Sequence, residues 1–219
     1  MCDDNNQKVL WITWDTEHDV FSFKPRLAIK TGARKKEIKV YNHKEELIDD
    51  PITNLTRRQV LSQINALFDP MGIAAPFIVK AKILLRKTWQ VGKDLSWDDV
   101  LPEHLSLEWN QIFQELFEMK DVKIRRCVRP LDVEGNPMLI IFSDASEEAF
   151  GACAYVSWKL RNGQHASRFF LSKSRLAPQK KISIVRLELC GVLLGVRIKK
   201  FIFQHSRIAF SGVKYIVDS

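Results

Sequence analysis

The stretch Met138-Leu139-Ile140-Ile141-Phe142-Ser143-Asp144-Ala145-Ser146 decides how the chain is read. Met138–Phe142 is a continuous apolar run of the kind found in a strand covered on both faces, and Asp144 closes it. An ionised carboxylate framed by apolar residues costs several kcal/mol unless something compensates it, roughly 3–5 kcal/mol for an unpaired buried charge. Working outward, Gly151–Trp158 and Arg168–Ser172 are further strand candidates, parted by the turn Arg161-Asn162-Gly163. A long, nearly all-round apolar helix is predicted from about Ser183 to Phe203, and it carries Glu188. Tyr215-Ile216-Val217 opens another strand and leads into Asp218. A hairpin meander, a helix packed on it and a strand returning beside the first is a permitted, compact topology. It would bring Asp144, Glu188 and Asp218 together, and clustered hard oxygens suit Mg²⁺. Each carboxylate also has an ordinary explanation. Asp144 suits a turn or helix cap, Glu188 a pairing with Arg186 or a lysine, and Asp218 a solvated end. Gly191 and Gly195 lie on the same helix stripe as Glu188 and point to close backbone approach or to small-residue packing.

Toward the N-terminus the pattern differs. Leu10, Ile12, Trp14, Phe21 and Phe23 alternate around the turn residues Asp15-Thr16-Glu17-His18-Asp19, which predicts a β-hairpin. Residues 24–52 read as an exposed strand or loop and a linker. Thr56 and Gln59 form a capping-box pattern ahead of Val60, Leu61, Ile64, Leu67 and Phe68. Asp69-Pro70-Met71-Gly72 breaks that helix, and Pro76 suits the first turn of a second, Phe77 to about Trp89, with Gly92 just past its end. A third helix opens at Pro102-Glu103, with Leu105, Trp109, Ile112 and Leu116 as a packing stripe. Gly135-Asn136-Pro137 reads as a turn and domain boundary. The fold class is α+β.

The 219 residues allow one large domain or two small ones, with no apolar run long enough to span a membrane and no visible signal peptide. Cys2, Cys127, Cys153 and Cys190 show no C-x-x-C pairing, which argues against zinc and a disulfide framework and fits a reducing, intracellular compartment, cytoplasmic or nuclear. Net charge is +8, unevenly spread. Eight Lys/Arg against one acid fall between Lys24 and Lys44, six against one between Thr53 and Gln90, and eight against one between Lys173 and Lys200. Between Asp94 and Asp121 there are eight acids and one Lys. Basic segments separated by a solvated acidic helix suggest a polyanion-binding face. Lys80, Lys82, Arg86 and Lys87 give the helical region a basic rim.

The chain resembles the Pol polyprotein of BEL/Pao-type retrotransposons. Leu10-Trp11-Ile12-Thr13-Trp14 with Asp19-Val20-Phe21-Ser22-Phe23 is similar to the family's L-G-x-x-W…D-x-F-x-F hairpin. Thr56-Arg57-Arg58-Gln59-Val60-Leu61-Ser62, Phe68-Asp69-Pro70-Met71-Gly72-Ile73 and Pro76 are similar to T-K/R-R-x-V-L-S…F-D-P-L-G-x-x-x-P. Phe142-Ser143-Asp144-Ala145-Ser146, Ser172-Lys173-Ser174-Arg175-Leu176-Ala177-Pro178, Arg186-Leu187-Glu188-Leu189 and Val217-Asp218-Ser219 resemble F-S-D-A-S, S-K-S-R-V-A-P, R-L-E-L and T-D-S. Trp11 replaces a family glycine, and Val185 replaces the proline before R-L-E-L.

The resemblance implies three regions. Residues 1–52 would be the end of the reverse transcriptase palm and a linker, 53–134 a helical thumb/connection-like region, and 135–219 the start of a ribonuclease H-like mixed sheet with one long helix. It implies that Arg57, Arg58, Lys80, Lys82, Arg86 and Lys87 grip a template–primer duplex. It also implies that Asp144, Glu188 and Asp218 bind two Mg²⁺ ions for cleavage of the RNA strand of an RNA–DNA hybrid, with Ser146 near the 2′-hydroxyls. The remainder of the Pol polyprotein would be a partner. A complete ribonuclease H needs a further strand, helices and a fourth acidic ligand, so little activity is expected from this sequence alone. Two other readings stand beside it. One is an aspartic-type peptidase, after a name this region of Pao polyproteins carries, although Asp144-Ala145-Ser146 lacks the D-[ST]-G such enzymes need. The other is a non-catalytic nucleic-acid-binding remnant.

Overall fold

A computed structural model of the chain describes residues 6–9, 12–31, 37–91 and 94–217. Leu10, Trp11, Gly92 and Asp218, singled out from the sequence, lie outside the described residues. The chain forms two compact units, Met1–Asp69 with Lys80–Ile124, and Pro70–Val79 with Arg125–Ser219. The architecture is mixed α+β.

In the first unit β1 (Asn6–Val9), β2 (Ile12–Asp15) and β3 (Val20–Phe23) form an antiparallel meander. The expected hairpin is present, with Ile12 opposite Phe23 and Asp15 opposite Val20. Its turn is held locally: the Asp15 carboxylate accepts the N–H groups of Glu17 at 3.0 Å and His18 at 3.1 Å. These bonds, with the His18 ring, hold the Asp15 carboxyl below the usual range.

Where an exposed strand or loop and a linker are expected over 24–52, strands do form, but one face of them is buried and a helix follows. β4 (Leu27–Thr31) pairs antiparallel with β5 (Glu37–Tyr41), and α1 (Lys44–Asp49) follows. Leu27, Ile29, Tyr41 and Leu47 are each at most 2% exposed. Two-residue alternation within a lysine-rich stretch builds a buried face that the charge count conceals.

α2 (Arg57–Ala66) starts with the predicted reciprocal cap: Thr56 Oγ1 accepts the Gln59 N–H at 3.3 Å, and Gln59 Oε1 accepts the Thr56 N–H at 2.8 Å. α3 spans Ala75–Val91 and α4 spans Glu103–Glu118. Leu105, Trp109, Ile112 and Leu116 of α4 are buried, as their spacing predicts. The Asn110 side chain clamps the Ile52 backbone, accepting its N–H at 2.9 Å and donating to its carbonyl at 2.8 Å. β6 (Lys123–Arg125) adds to the first sheet beside β3.

The second unit is built on β7 (Val133–Ala145), β8 (Ala149–Leu160) and β9 (His165–Leu176), an antiparallel meander. α5 (Ile184–His205) follows, and β10 (Gly212–Val217) returns parallel to β7, giving the order β10-β7-β8-β9. This is the topology expected from the sequence. Three local expectations fail. Gly135-Asn136-Pro137 is a register irregularity inside β7, with Gly135 at φ 66°; a bulge absorbs the extra residues without ending the strand. β7 is also not covered on both faces. Leu139 and Ile141 are buried against the α5 side with Leu194, Ile198 and Ile202, whereas Met138 and Phe142 are 42% and 39% exposed. Phe142, Tyr155 and Phe169 line up edge-to-face across the other surface, at centroid spacings of 5.9 and 5.7 Å.

α5 is likewise not buried all round. Leu187, Gly191, Leu194, Gly195, Ile198 and Ile202 face inward, while Val185 and Leu189 are each 67% exposed. The segment Pro70–Val79 belongs to this unit and lines the outer edge of β9. Ser172 N–H donates to the Met71 carbonyl at 2.9 Å, Ser172 Oγ to the Gly72 carbonyl at 2.5 Å, and Ser174 Oγ to the Ala75 carbonyl at 3.2 Å.

Candidate functional site

Asp144 stands at the end of β7, exposed, so the burial cost inferred from its apolar neighbours does not arise. Its Oδ1 accepts the Ala145 N–H at 2.6 Å, and Oδ2 has no hydrogen-bond partner among the described residues. Glu188, half-buried, lies one turn into α5. It pairs neither with Arg186 nor with a lysine among the described residues.

Glycine brings helix and strand end together. A Cβ on Gly191 would lie 3.2 Å from the Asp144 carbonyl oxygen, and one on Gly195 3.0 Å from Ile141 Cγ2. Gly191 is therefore a close-approach position at the candidate site itself. Gly191→Val is expected to destabilise the fold by about 1–3 kcal/mol through overpacking. Urea denaturation checks this, and an unchanged midpoint would show that α5 has slack there.

This approach creates a cleft of about 300 Å³ bordered by Asp144, Glu188, Arg186, Val185, Val192 and Val217. Two of the three predicted carboxylates thus share one cavity. Val217 sits opposite Ser143 in the parallel β10–β7 register. The residue before Asp218 is therefore the neighbour of the residue before Asp144. Among the described residues no group of three His, Cys, Asp or Glu side chains is placed to hold a metal ion, and Asp218 is not among them. Asp144 also borders a groove of about 580 Å³ with Phe142, Cys153, Pro76 and Val79. Burial pushes the Cys153 thiol up there.

The other predicted contacts fare differently. Ser146 Oγ is engaged in the β7–β8 turn, accepting N–H groups of Glu148 at 3.3 Å and Ala149 at 3.2 Å. It is a turn-former. Arg57 does not reach solvent: it is 0% exposed, donates from Nη2 to the Thr88 carbonyl at 2.7 Å and from Nη1 to the Leu95 carbonyl, and stacks on Trp89 with its guanidinium 4.1 Å from the ring centroid. Arg58 forks onto Asp98 at 2.7 and 3.0 Å. Lys80 pairs with Glu115 and Lys87 with Glu108, each at 2.5 Å. The acidic stretch is thus interleaved with the basic one, which corrects the expectation that it stands apart. Lys82 is exposed and carries no ion pair among the described residues, while Arg86 is half-buried.

Residues 56–219 match the family model described as "Pao retrotransposon-like RNaseH-like domain". The chain belongs to this family. The Pao RNaseH-like match covers both helices α3 and α4 and the whole β7–β10 sheet, and it agrees with the resemblance carried by the motifs. Three solved structures are similar, all of the foamy viral protease-reverse transcriptase. The dRH form in complex with dsDNA shares 10% identity over 97% of this chain and 30% of that chain, with a TM-score of 0.45. The complex with RNA/DNA hybrid gives 10%, 97%, 24% and 0.40, and a further dsDNA complex 9%, 98%, 45% and 0.42. The Pao chain therefore spans less than half the length of each viral chain. No curated protein matches it.

Proposed function

We propose that this chain supplies metal-binding carboxylates to a ribonuclease H-type nuclease that cuts the RNA strand of an RNA–DNA hybrid, working as part of a Pol polyprotein. The observation that carries the reading is the shared cleft of Asp144 and Glu188, with Val217, the residue ahead of Asp218, on its wall.

The donor set fits Mg²⁺. Asp144 Oδ2 and both Glu188 oxygens are free of hydrogen bonds and ion pairs among the described residues, and hard oxygens facing one cavity are what Mg²⁺ selects. Asp144 and Glu188 would hold it, with Asp218 as a third ligand. When bound, Mg²⁺ activates water and stabilises the leaving oxygen of a phosphodiester. The chain's own contribution is positional. The Ala145 N–H fixes one Asp144 oxygen and leaves the other free. The close approach at Gly191 sets how near α5 comes to the end of β7. Arg186, on the same cleft, places a fixed cation beside the carboxylates, where it limits their mutual repulsion.

Asp144→Asn is expected to weaken divalent-ion binding by this chain, and hybrid cleavage by the Pol polyprotein that carries it, by at least about 100-fold, the upper end of what losing even a supporting outer-shell group costs. Mn²⁺ titration followed by electron paramagnetic resonance, with a labelled hybrid cleavage assay in parallel, checks both. Ion binding and cleavage that survive the substitution would end the reading. Hybrid affinity that falls steeply with salt, with no ion binding at all, would instead favour a non-catalytic binder.

A further inference from the structure

The run Lys173–Lys200, with its eight Lys/Arg against one acid, is the one basic segment not yet accounted for. On α5, Arg186, Cys190, Arg197 and Phe201 are spaced by four, seven and four residues, which places them on one stripe. Lys173 of β9 fixes which way the stripe faces, because its Nζ lies 5.8 Å from the Phe201 ring centroid. Arg175 projects from the same face of β9 two residues on, at the end of the sheet that carries Asp144, since it pairs with Phe150 and Phe150 with Ala145.

Lys173, Arg175, Arg186 and Arg197 are all exposed, and none has an ion-pair partner among the described residues. Three cations of α2 and α3 present the opposite case, since Arg58, Lys80 and Lys87 are each matched by a carboxylate, and Lys82 alone is exposed without an ion pair among the described residues. A cation already paired gains little from a phosphate, because binding must first break the existing pair. Unmatched cations in a row keep their full attraction for a polyanion, and Arg186, at one end of this row, also borders the carboxylate cleft. From Arg186 to Arg197 the helix rises about 16 Å at 1.5 Å per residue, which is close to five nucleotide steps at about 3.4 Å each.

We infer that the nucleic-acid backbone runs along the β9–α5 side of the second unit, its phosphates held by Arg186, Arg175, Lys173 and Arg197. This rests on the nuclease reading above for the identity of the polyanion, an RNA–DNA hybrid. It relocates the electrostatic grip from the helices of residues 53–134 to β9 and the flank of α5 that faces it.

The test uses the full chain and a fluorescein-labelled hybrid of about 18 base pairs, followed by anisotropy in EDTA, across a KCl series. EDTA removes cleavage and metal from the measurement. Lys173→Glu with Arg197→Glu is expected to weaken binding at least tenfold and to lower the slope of log K against log [salt] by about two, near 0.9 for each phosphate no longer neutralised. Lys173→Gln with Arg197→Gln guards against misfolding and is expected to move both quantities in the same direction by less, with an unchanged thermal melt. Lys159→Glu with Arg161→Glu makes the same charge change at the far end of the sheet and is expected to alter affinity by under twofold. Strip variants that bind like the parent chain, a far-end pair that loses as much, or tighter binding to phosphatidylserine vesicles than to the hybrid would each overturn the inference. Binding in EDTA reads the strip, while cleavage in Mg²⁺ reads the carboxylates. Loss of the strip effect and loss of the cleavage effect are thus separate results.

Discussion

Gly72→Ala is expected to unfold much of the second unit at room temperature. Gly72 has φ 76°, and a Cβ built there would lie 2.0 Å from the Ser172 carbonyl oxygen and 2.6 Å from its carbonyl carbon. The obstacle is backbone, so no rotamer change can relieve it. The left-handed conformation alone costs an L-residue about 1–2 kcal/mol. Relieving the clash also means moving Met71-Gly72 away from β9, which breaks the Ser172 N–H bond to Met71, the Ser172 Oγ bond to Gly72 and the Ser174 Oγ bond to Ala75. At about 0.5–1.5 kcal/mol each, these bring the expected loss to roughly 3–6 kcal/mol, comparable with the whole stability of a small unit. Urea melts followed by tryptophan fluorescence would show it. A variant within about 1 kcal/mol of the parent would mean that the loop shifts freely, and that its bonds to β9 are incidental.

Arg57→Ala should be nearly as damaging, and Arg58→Ala nearly silent. Arg57 is fully buried, and its removal strands the carbonyls of Thr88 and Leu95 while emptying the space beside Trp89. An unsatisfied buried acceptor costs about 1–3 kcal/mol, so about 3–5 kcal/mol is expected in thermal or urea melts. Arg57→Lys should rescue only part, because an ammonium cannot reproduce the planar fork that reaches two carbonyls. Arg58 and Asp98 are both about two-thirds exposed, and an exposed pair is worth roughly 0–1 kcal/mol. Equal losses at the two positions would contradict the buried clamp.

The same pair shows where sequence reading falls short and why. Both arginines sit in one basic motif, and that motif predicts that both face nucleic acid. Yet Arg57, Val60 and Ile64 are spaced i, i+3, i+7 and share the buried stripe of α2. That spacing is visible in the sequence, but a charged residue at a core position is discounted unless its partners are known, and these are backbone carbonyls. Residues 27–41 mislead for a related reason, because four lysines and an arginine draw the eye from Leu27, Ile29 and Tyr41, the apolar positions that are buried. In the second unit alternation and the turn Arg161-Asn162-Gly163 mark a strand meander ahead of a helix and a last strand, and the observed order is the one that pattern permits. What alternation cannot give is the bare outer face of β7. Five apolar residues in a row look alike, whichever face is covered. For the site, the end of β7 and the start of α5 are legible as carboxylate positions, and the structure brings Asp144 and Glu188 to one cleft. Ser146 stands out in the sequence for its place beside Asp144, where turn chemistry claims its hydroxyl first.

The second unit takes ten residues, Pro70–Val79, from the middle of the first. No single cut in the gene therefore isolates it. A piece beginning at Arg125 would leave Ser172 and Ser174 without the carbonyls they bond and would bare the rim of β9 as a template for another chain. Such a piece is destined for edge-to-edge association, whereas one that begins at Pro70 carries the turn and helix start that cover this rim.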